Sequence, residues 1–197
     1  MRNRDENKIT TIKEKALEMV VKEGFDDFSM QKLAKKANVS PATIYIYFKD
    51  KEDLILQLYK EENEKMAEET LKNFHPDMSF SEGLKVQWIN RSRYCIENKV
   101  QMVFLEQIRH SSLQKKASDL VNSKFMTVMQ QFVGNAIKNG ELIKVPVEVF
   151  WSVAFAPLYT LVRFHGAGTS IGGHQFTFSE EIMLKTLEIV LKGLKPV

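Results

Sequence analysis

The sequence predicts an all-α chain of 197 residues, in which a small N-terminal helical module leads into a larger helical domain. Three observations carry this. Apolar residues recur at helical spacing along most of the chain. Hydroxyl, Asn and Asp caps, with Gly and Pro as stops and starts, punctuate those stretches. No pair of neighbouring segments alternates apolar and polar residues as a sheet requires.

Ile9, Ile12, Ala16, Met19 and Val20 precede Gly24, a natural C-terminal cap, so residues of roughly 6 to 23 form the first helix. Ser29 caps a second helix through Lys36, with Met30, Leu33, Ala34 and Ala37 on its apolar side. Asn38-Val39-Ser40 ends it, and Asn38 suits a left-handed turn. Ser40 caps a third segment, and Pro41 fits the first helical position, where its missing N–H is unpaired anyway. Ile44-Tyr45-Ile46-Tyr47-Phe48 taken alone has the composition of a β-strand. In a helix, however, Ile44 and Phe48 share a face and pack on the first two helices, whereas a strand finds no partner. The helix prevails, and two helices stand separated by a very short turn.

Asp50 caps a fourth helix that runs to about Asn73 and stops before His75-Pro76, because the residue before a proline disfavours helical geometry. Ser79-Phe80-Ser81-Glu82 reads as a capping box opening a fifth, whose Leu84, Trp88, Arg91 and Cys95 fall on one face. Further helices are expected over 100 to 110, 114 to 139, 146 to 165 and 179 to 194, with Gly140 and Pro146 as stop and start. Pro157 should bend its helix. The segment VFWSVAFAPLYTLVRFH is apolar almost all round, and helix 179 to 194 carries a stripe of Ile182, Met183, Leu187, Val190, Leu191 and Leu194. In a chain of this size, a second subunit is the expected cover.

Several function classes drop out. Cys95 is the only cysteine, which excludes an internal disulfide and a cysteine-rich zinc site, and it reads as a small buried hydrophobe rather than a redox sensor. No window reaches the apolar length of a membrane span, and the start MRNRDENK lacks the core of a signal peptide, so a soluble, cytoplasmic chain without membrane contact is expected. His75, His110, His165 and His174 lack ligand spacing, no Ser/His/Asp set stands out, and GAGTSIGG (166 to 173) lacks the Gly-Lys-Ser/Thr of a phosphate loop. No catalytic residue, metal or cofactor is expected, and the chain does not read as an enzyme.

The formal net charge of +3 decides nothing, but its distribution is uneven. From Ser29 to Lys49 there is no acidic residue, while Lys32, Lys35, Lys36 and Lys49 are present. Such a run suits a polyanion, or it solvates the outer face of a helix; charge alone leaves both open.

The run FSMQKLAKKANVSPATIYIYFKDKEDLI settles the matter by likeness: residues 9 to 55 resemble the N-terminal DNA-binding domain of the TetR/AcrR family of bacterial transcriptional regulators. The shared pattern is a hydrophobic-plus-alanine pair, a turn ending in Val-Ser, then Tyr-x-Tyr/His-Phe and Lys-x-x-Leu. Asn38 departs from the glycine often found there, yet tolerates the same backbone conformation. The resemblance implies a three-helix helix-turn-helix DNA-binding domain over 1–53 and a helical regulatory domain for ligand binding and dimerisation over 54–197. It implies double-stranded operator DNA as partner, a homodimer through the last two helices, and a small hydrophobic effector. Repression is the commonest mode in that family. A division-related or architectural DNA binder of the same fold, without a ligand, is the alternative, and a helical small-molecule enzyme the more remote one.

Within that frame the chemistry assigns roles. Tyr45, Tyr47, Lys32, Lys49 and Lys51 reach phosphate oxygens, Ser29 and Ser40 cap the two helices at the DNA, and Pro41, Ala42 and Thr43 meet base edges. Apolar groups there offer only methyl contact, so readout is expected to lean partly on DNA shape. Lys51 places a cation in the first turn of its helix, where the dipole disfavours it unless a phosphate docks there, and the family uses the matching lysine in that way. For the effector, Trp88, Arg91, Tyr94, Met102, Phe104, Phe125, Met129, Phe155 and Tyr159 line a cavity or simply fill the core. Arg91 meets an anionic or planar ligand, or else an acidic neighbour.

Overall fold

The computed structural model describes residues 2–120 and 123–196. Their helices are α1 (Arg2–Glu23), α2 (Met30–Lys36), α3 (Pro41–Tyr47), α4 (Lys51–Thr70), α5 (Phe80–Glu97) and α6 (Lys99–Arg109). They continue with α7 (Gln114–Ser118), α8 (Ser123–Lys138), α9 (Val147–Ala154), α10 (Ala156–Ala167) and α11 (Glu180–Leu194). The single β pairing among the described residues is an isolated bridge between Thr169 and Gln175. The fold class is all-α, as the spacing predicts. The chain divides into two compact units, Met1–Lys65 with Asn98–Val121, and Met66–Glu97 with Asn122–Val197.

In the first unit Ile12, Ala16, Met19 and Val20 of α1, Leu33 and Ala34 of α2, Ile44 of α3, and Leu54 and Ile55 of α4 are all buried, and α2 packs on both α1 and α3. α6 lies along α1, and the Gln107 amide donates to the Val21 carbonyl at 3.3 Å. Asn38 takes the left-handed conformation, φ 53°, that ends α2. Ser29 and Ser40 accept from the backbone N–H groups of Lys32 and Thr43, at 3.2 and 3.1 Å, so each short helix is capped as its sequence requires.

The second unit is built around Trp88, Phe132 and Phe155, none of which has exposed surface. α5 packs on α8 and α10, and α11 packs on α5, α9 and α10. The apolar segment expected as one bent helix is broken: α9 and α10 meet at Phe155 with a bend of 41°, and Pro157 sits in the first turn of α10. The break leaves the Ala154 carbonyl without its helical donor, and the Trp88 indole N–H donates to it at 2.8 Å. Among the described residues no single helix is long and apolar enough to cross a membrane, although the bent α9–α10 pair meets that test by length and composition. Cys95 is buried.

Two expected boundaries shift. The stretch 114 to 139 is not one helix, since α7 ends at Ser118, whose hydroxyl donates back to the Lys115 carbonyl at 2.7 Å, and Leu120 closes a tighter turn on Ala117. α4 ends at Thr70 rather than near Asn73, which has φ 56°. The freed carbonyls there are taken by side chains of α5: Gln87 donates to Thr70 at 2.8 Å, and Asn90 donates to Lys72 at 2.7 Å. Tertiary donors, invisible to local spacing, set that end.

Gly83 has no room for a side chain, because a Cβ there would lie 2.4 and 2.5 Å from atoms of the buried Phe132 ring, itself wedged against Phe74 and Phe80. Gly83→Ala should therefore destabilise the fold by roughly 1–3 kcal/mol in urea titration, although Ala is the better helix former. A gain in stability would show that the close approach is not there.

Candidate functional site

α3 is two turns long and presents two contrasting faces. Ile44 and Phe48 have 0% and 1% of their surface exposed, whereas Tyr45 and Ile46 have 53% and 73%. Pro41 and Ala42 are exposed and Thr43 is half-buried, its hydroxyl 2.9 Å from that of Ser40. The helix is thus fastened by one edge and offers the other. Ile46, absent from the sequence-based site, is the most exposed apolar residue on that edge; helical spacing from the anchored Ile44 and Phe48 already points it outward.

The cations of this segment are not all unopposed. Glu23, at the end of α1, lies 2.8 Å from the Lys36 ammonium and 3.6 Å from that of Lys32. The hydrogen bond from Lys36 holds the Glu23 carboxyl below the usual carboxylate range. The segment is free of acid in sequence and not in space. Lys32 also donates to the Asp27 carbonyl at 3.2 Å.

The start of α4 is built as a reciprocal cap: Asp50 accepts from the Asp53 N–H at 2.8 Å, and Asp53 accepts from the Lys49 N–H at 2.8 Å. Lys51, beside it, is not idle. Its ammonium lies 4.3 Å from the centre of the Phe25 ring and donates to the Asp26 carbonyl at 3.2 Å. It thereby pins the loop between α1 and α2, and an ammonium keeps two further N–H donors for an anion. Lys49 is exposed, and Tyr47 is half-buried against Phe48.

The residues expected to line an effector cavity are drawn from both units. Met102 and Phe104 belong to the first unit, whereas Trp88, Arg91, Tyr94, Phe125, Met129, Phe155 and Tyr159 belong to the second. Within the second, the contacts converge on Arg91. Its guanidinium lies 4.5 Å from the Phe155 ring, 5.3 Å from Phe125 and 5.4 Å from Trp151, and its Nη1 donates to the Tyr159 hydroxyl at 2.8 Å. Trp151 and Gln87, whose Oε1 accepts from Arg91 Nε at 3.2 Å, are members of this cluster that sequence reasoning missed. Gln87 sits four residues before Arg91 on α5, a signal that helical spacing does carry. Among the described residues no group of three or more His, Cys, Asp or Glu side chains is placed to hold a metal ion.

An all-α chain with two short capped helices joined by a tight turn, the second fastened by one edge, defines a helix-turn-helix protein. The family model described as "Bacterial regulatory proteins, tetR family" matches residues 12–58. The chain is 25% identical over 130 residues to the "Fatty acid metabolism regulator protein" of Bacillus subtilis, a match covering 64% of this chain and 66% of that one. It thus spans just under two thirds of that relative's length. A TetR family transcription regulator from Marinobacter aquaeolei superposes over 100% of both chains with TM-score 0.81 and 25% identity. The regulator FadR of B. subtilis, solved in complex with stearoyl-CoA, covers 94% of this chain and 98% of its own, with TM-score 0.72 and 20% identity. Residues 12–58 thus carry the tetR-family domain, and the whole chain shares the fold of TetR-family regulators.

The left-handed backbone at Asn38 sets where α3 begins. Asn38→Gly should leave stability within a few tenths of a kcal/mol, whereas Asn38→Val should cost roughly 1–2 kcal/mol, because a β-branched side chain opposes that conformation. Chemical denaturation of the two variants checks this, and equal stabilities would contradict it.

Proposed function

We propose that this chain is a repressor that binds a pseudo-palindromic operator as a homodimer through its last two helices and is released by a small apolar effector. Residues 1–53 act as the reader and residues 54–197 as the regulatory and dimerisation part. The observation that carries the reading is the outward edge of α3, where Pro41, Ala42, Tyr45 and Ile46 are exposed beside an anchored core face. That edge fits a major groove, with Thr43 and Ile46 toward base edges and Tyr45, Tyr47, Lys32, Lys49 and Lys51 toward phosphates. One such helix reads too few bases to be selective, so two are needed.

Acyl compounds are the effector class this reading favours. Its support is the named role of the B. subtilis relative in fatty acid metabolism and the stearoyl-CoA held by the B. subtilis FadR structure. An effector that shifts the end of α4 alters how the readers are held, and couplings of this kind change DNA affinity by about 5- to 150-fold.

Fluorescence anisotropy on a selected operator tests the assignment of roles. Lys51→Ala should weaken binding to all sequences alike and lower the salt slope by about one unit for each phosphate that a half-site no longer engages. Thr43→Ala or Ile46→Ala should instead change base preference. A Lys51→Ala variant with an altered preference and an intact salt slope would overturn these roles. Glu23→Gln releases Lys32 and Lys36 from their carboxylate and should tighten binding, most visibly at low salt; weaker binding would show that Glu23 orients those lysines rather than opposing them.

A further inference from the structure

Arg91 has 2% of its surface exposed, and its Nη2 is buried without a hydrogen-bond partner. Nε and Nη1 reach only the neutral oxygens of Gln87 and Tyr159, and among the described residues no carboxylate pairs with the group. Three aromatic rings surround the guanidinium, and they soften its burial without neutralising it. An unpaired buried cation with an unused donor is among the most unfavourable arrangements that a protein core holds. A permanent charge in that state calls for an anion supplied from outside. Trp151, one of the three rings, is 39% exposed, so one wall of the cluster lies at the surface.

We propose that Arg91 is the receptor for the oxyanion of an apolar effector, with Nη2 as the unused donor and Phe125, Trp151 and Phe155 gripping the adjoining apolar chain. The inference rests on the effector reading above and specifies its chemistry: the compound is an acid, either a free carboxylate or an acyl group carrying a phosphate. The same cluster supplies a route for the signal. Gln87 links the Arg91 Nε to the Thr70 carbonyl, the last residue of α4, and Asn90 donates to that carbonyl as well, at 3.2 Å. An anion that recruits Nη2 turns the guanidinium plane, draws on Gln87, and loosens or tightens the end of α4.

Calorimetric titration of the full-length chain with octadecanoate, octadecanol and stearoyl-CoA tests this, with operator release followed in parallel by anisotropy. One charge-assisted pair predicts that octadecanoate or stearoyl-CoA binds roughly 10- to 150-fold more tightly than octadecanol. Arg91→Gln should abolish that preference, and Arg91→Lys should retain part of it. Without ligand, Arg91→Gln should melt at the same or a higher temperature, since an unpaired buried charge is removed. Preference for octadecanoate identifies a carboxylate as the source, and an Arg91-dependent preference for stearoyl-CoA identifies a phosphate. Equal affinity for the acids and the alcohol, an acid preference that survives Arg91→Gln, or binding of none of the three would overturn the proposal. Arg91-dependent binding that does not release DNA would sink the release reading and leave the site standing; release by octadecanol as strong as by octadecanoate would do the reverse.

Discussion

A helix of seven residues does not hold its shape in water, and everything asked of α3 depends on how it is held. Ile44 and Phe48, one turn apart and both buried where α3 packs on α2, supply the fastening, while the Ser40 cap and the Asn38 turn fix where the helix starts. Because both anchors lie on one edge, the opposite edge is free to carry Tyr45 and Ile46 outward. The β-branched and aromatic composition that argues locally for a strand is the composition needed for a short helix stapled by bulky side chains. Tertiary burial overrides propensity here, and the exposed outer edge is its by-product.

Polar groups at helix ends organise the rest. The end of α4 is closed by Gln87 and Asn90, and the gap between α9 and α10 by the Trp88 indole. Each donor comes from α5, which makes that helix the piece on which the second unit is assembled. Arg91 stands on the same helix, one turn beyond Gln87.

Residues 1–53 were legible almost residue by residue, since caps, turn and apolar spacing are local signals that agree with one another: Ser29, Asn38, Ser40, Pro41 and Asp50 all act where spacing puts them. What escaped were contacts made across space. Glu23 lies outside the acid-free run and yet faces Lys32 and Lys36, and Lys51 sits over Phe25. The second unit was legible as helices but not in its breaks, because the ends of α4 and α9 are set by donors from α5. Size and polarity, the signals that mark the candidate effector residues in the sequence, cannot tell core from cavity; only burial and the unpaired Nη2 single out Arg91.

The central claim is that the outward edge of α3 reads DNA, two copies at a time. Selection of duplexes from a random pool by the purified full-length chain, followed by sequencing, addresses it most directly. The account predicts enrichment of an inverted repeat whose half-site centres lie about 34–36 Å apart, or a multiple of that distance. Recovery of no common sequence, or of a single unrepeated site, would contradict it.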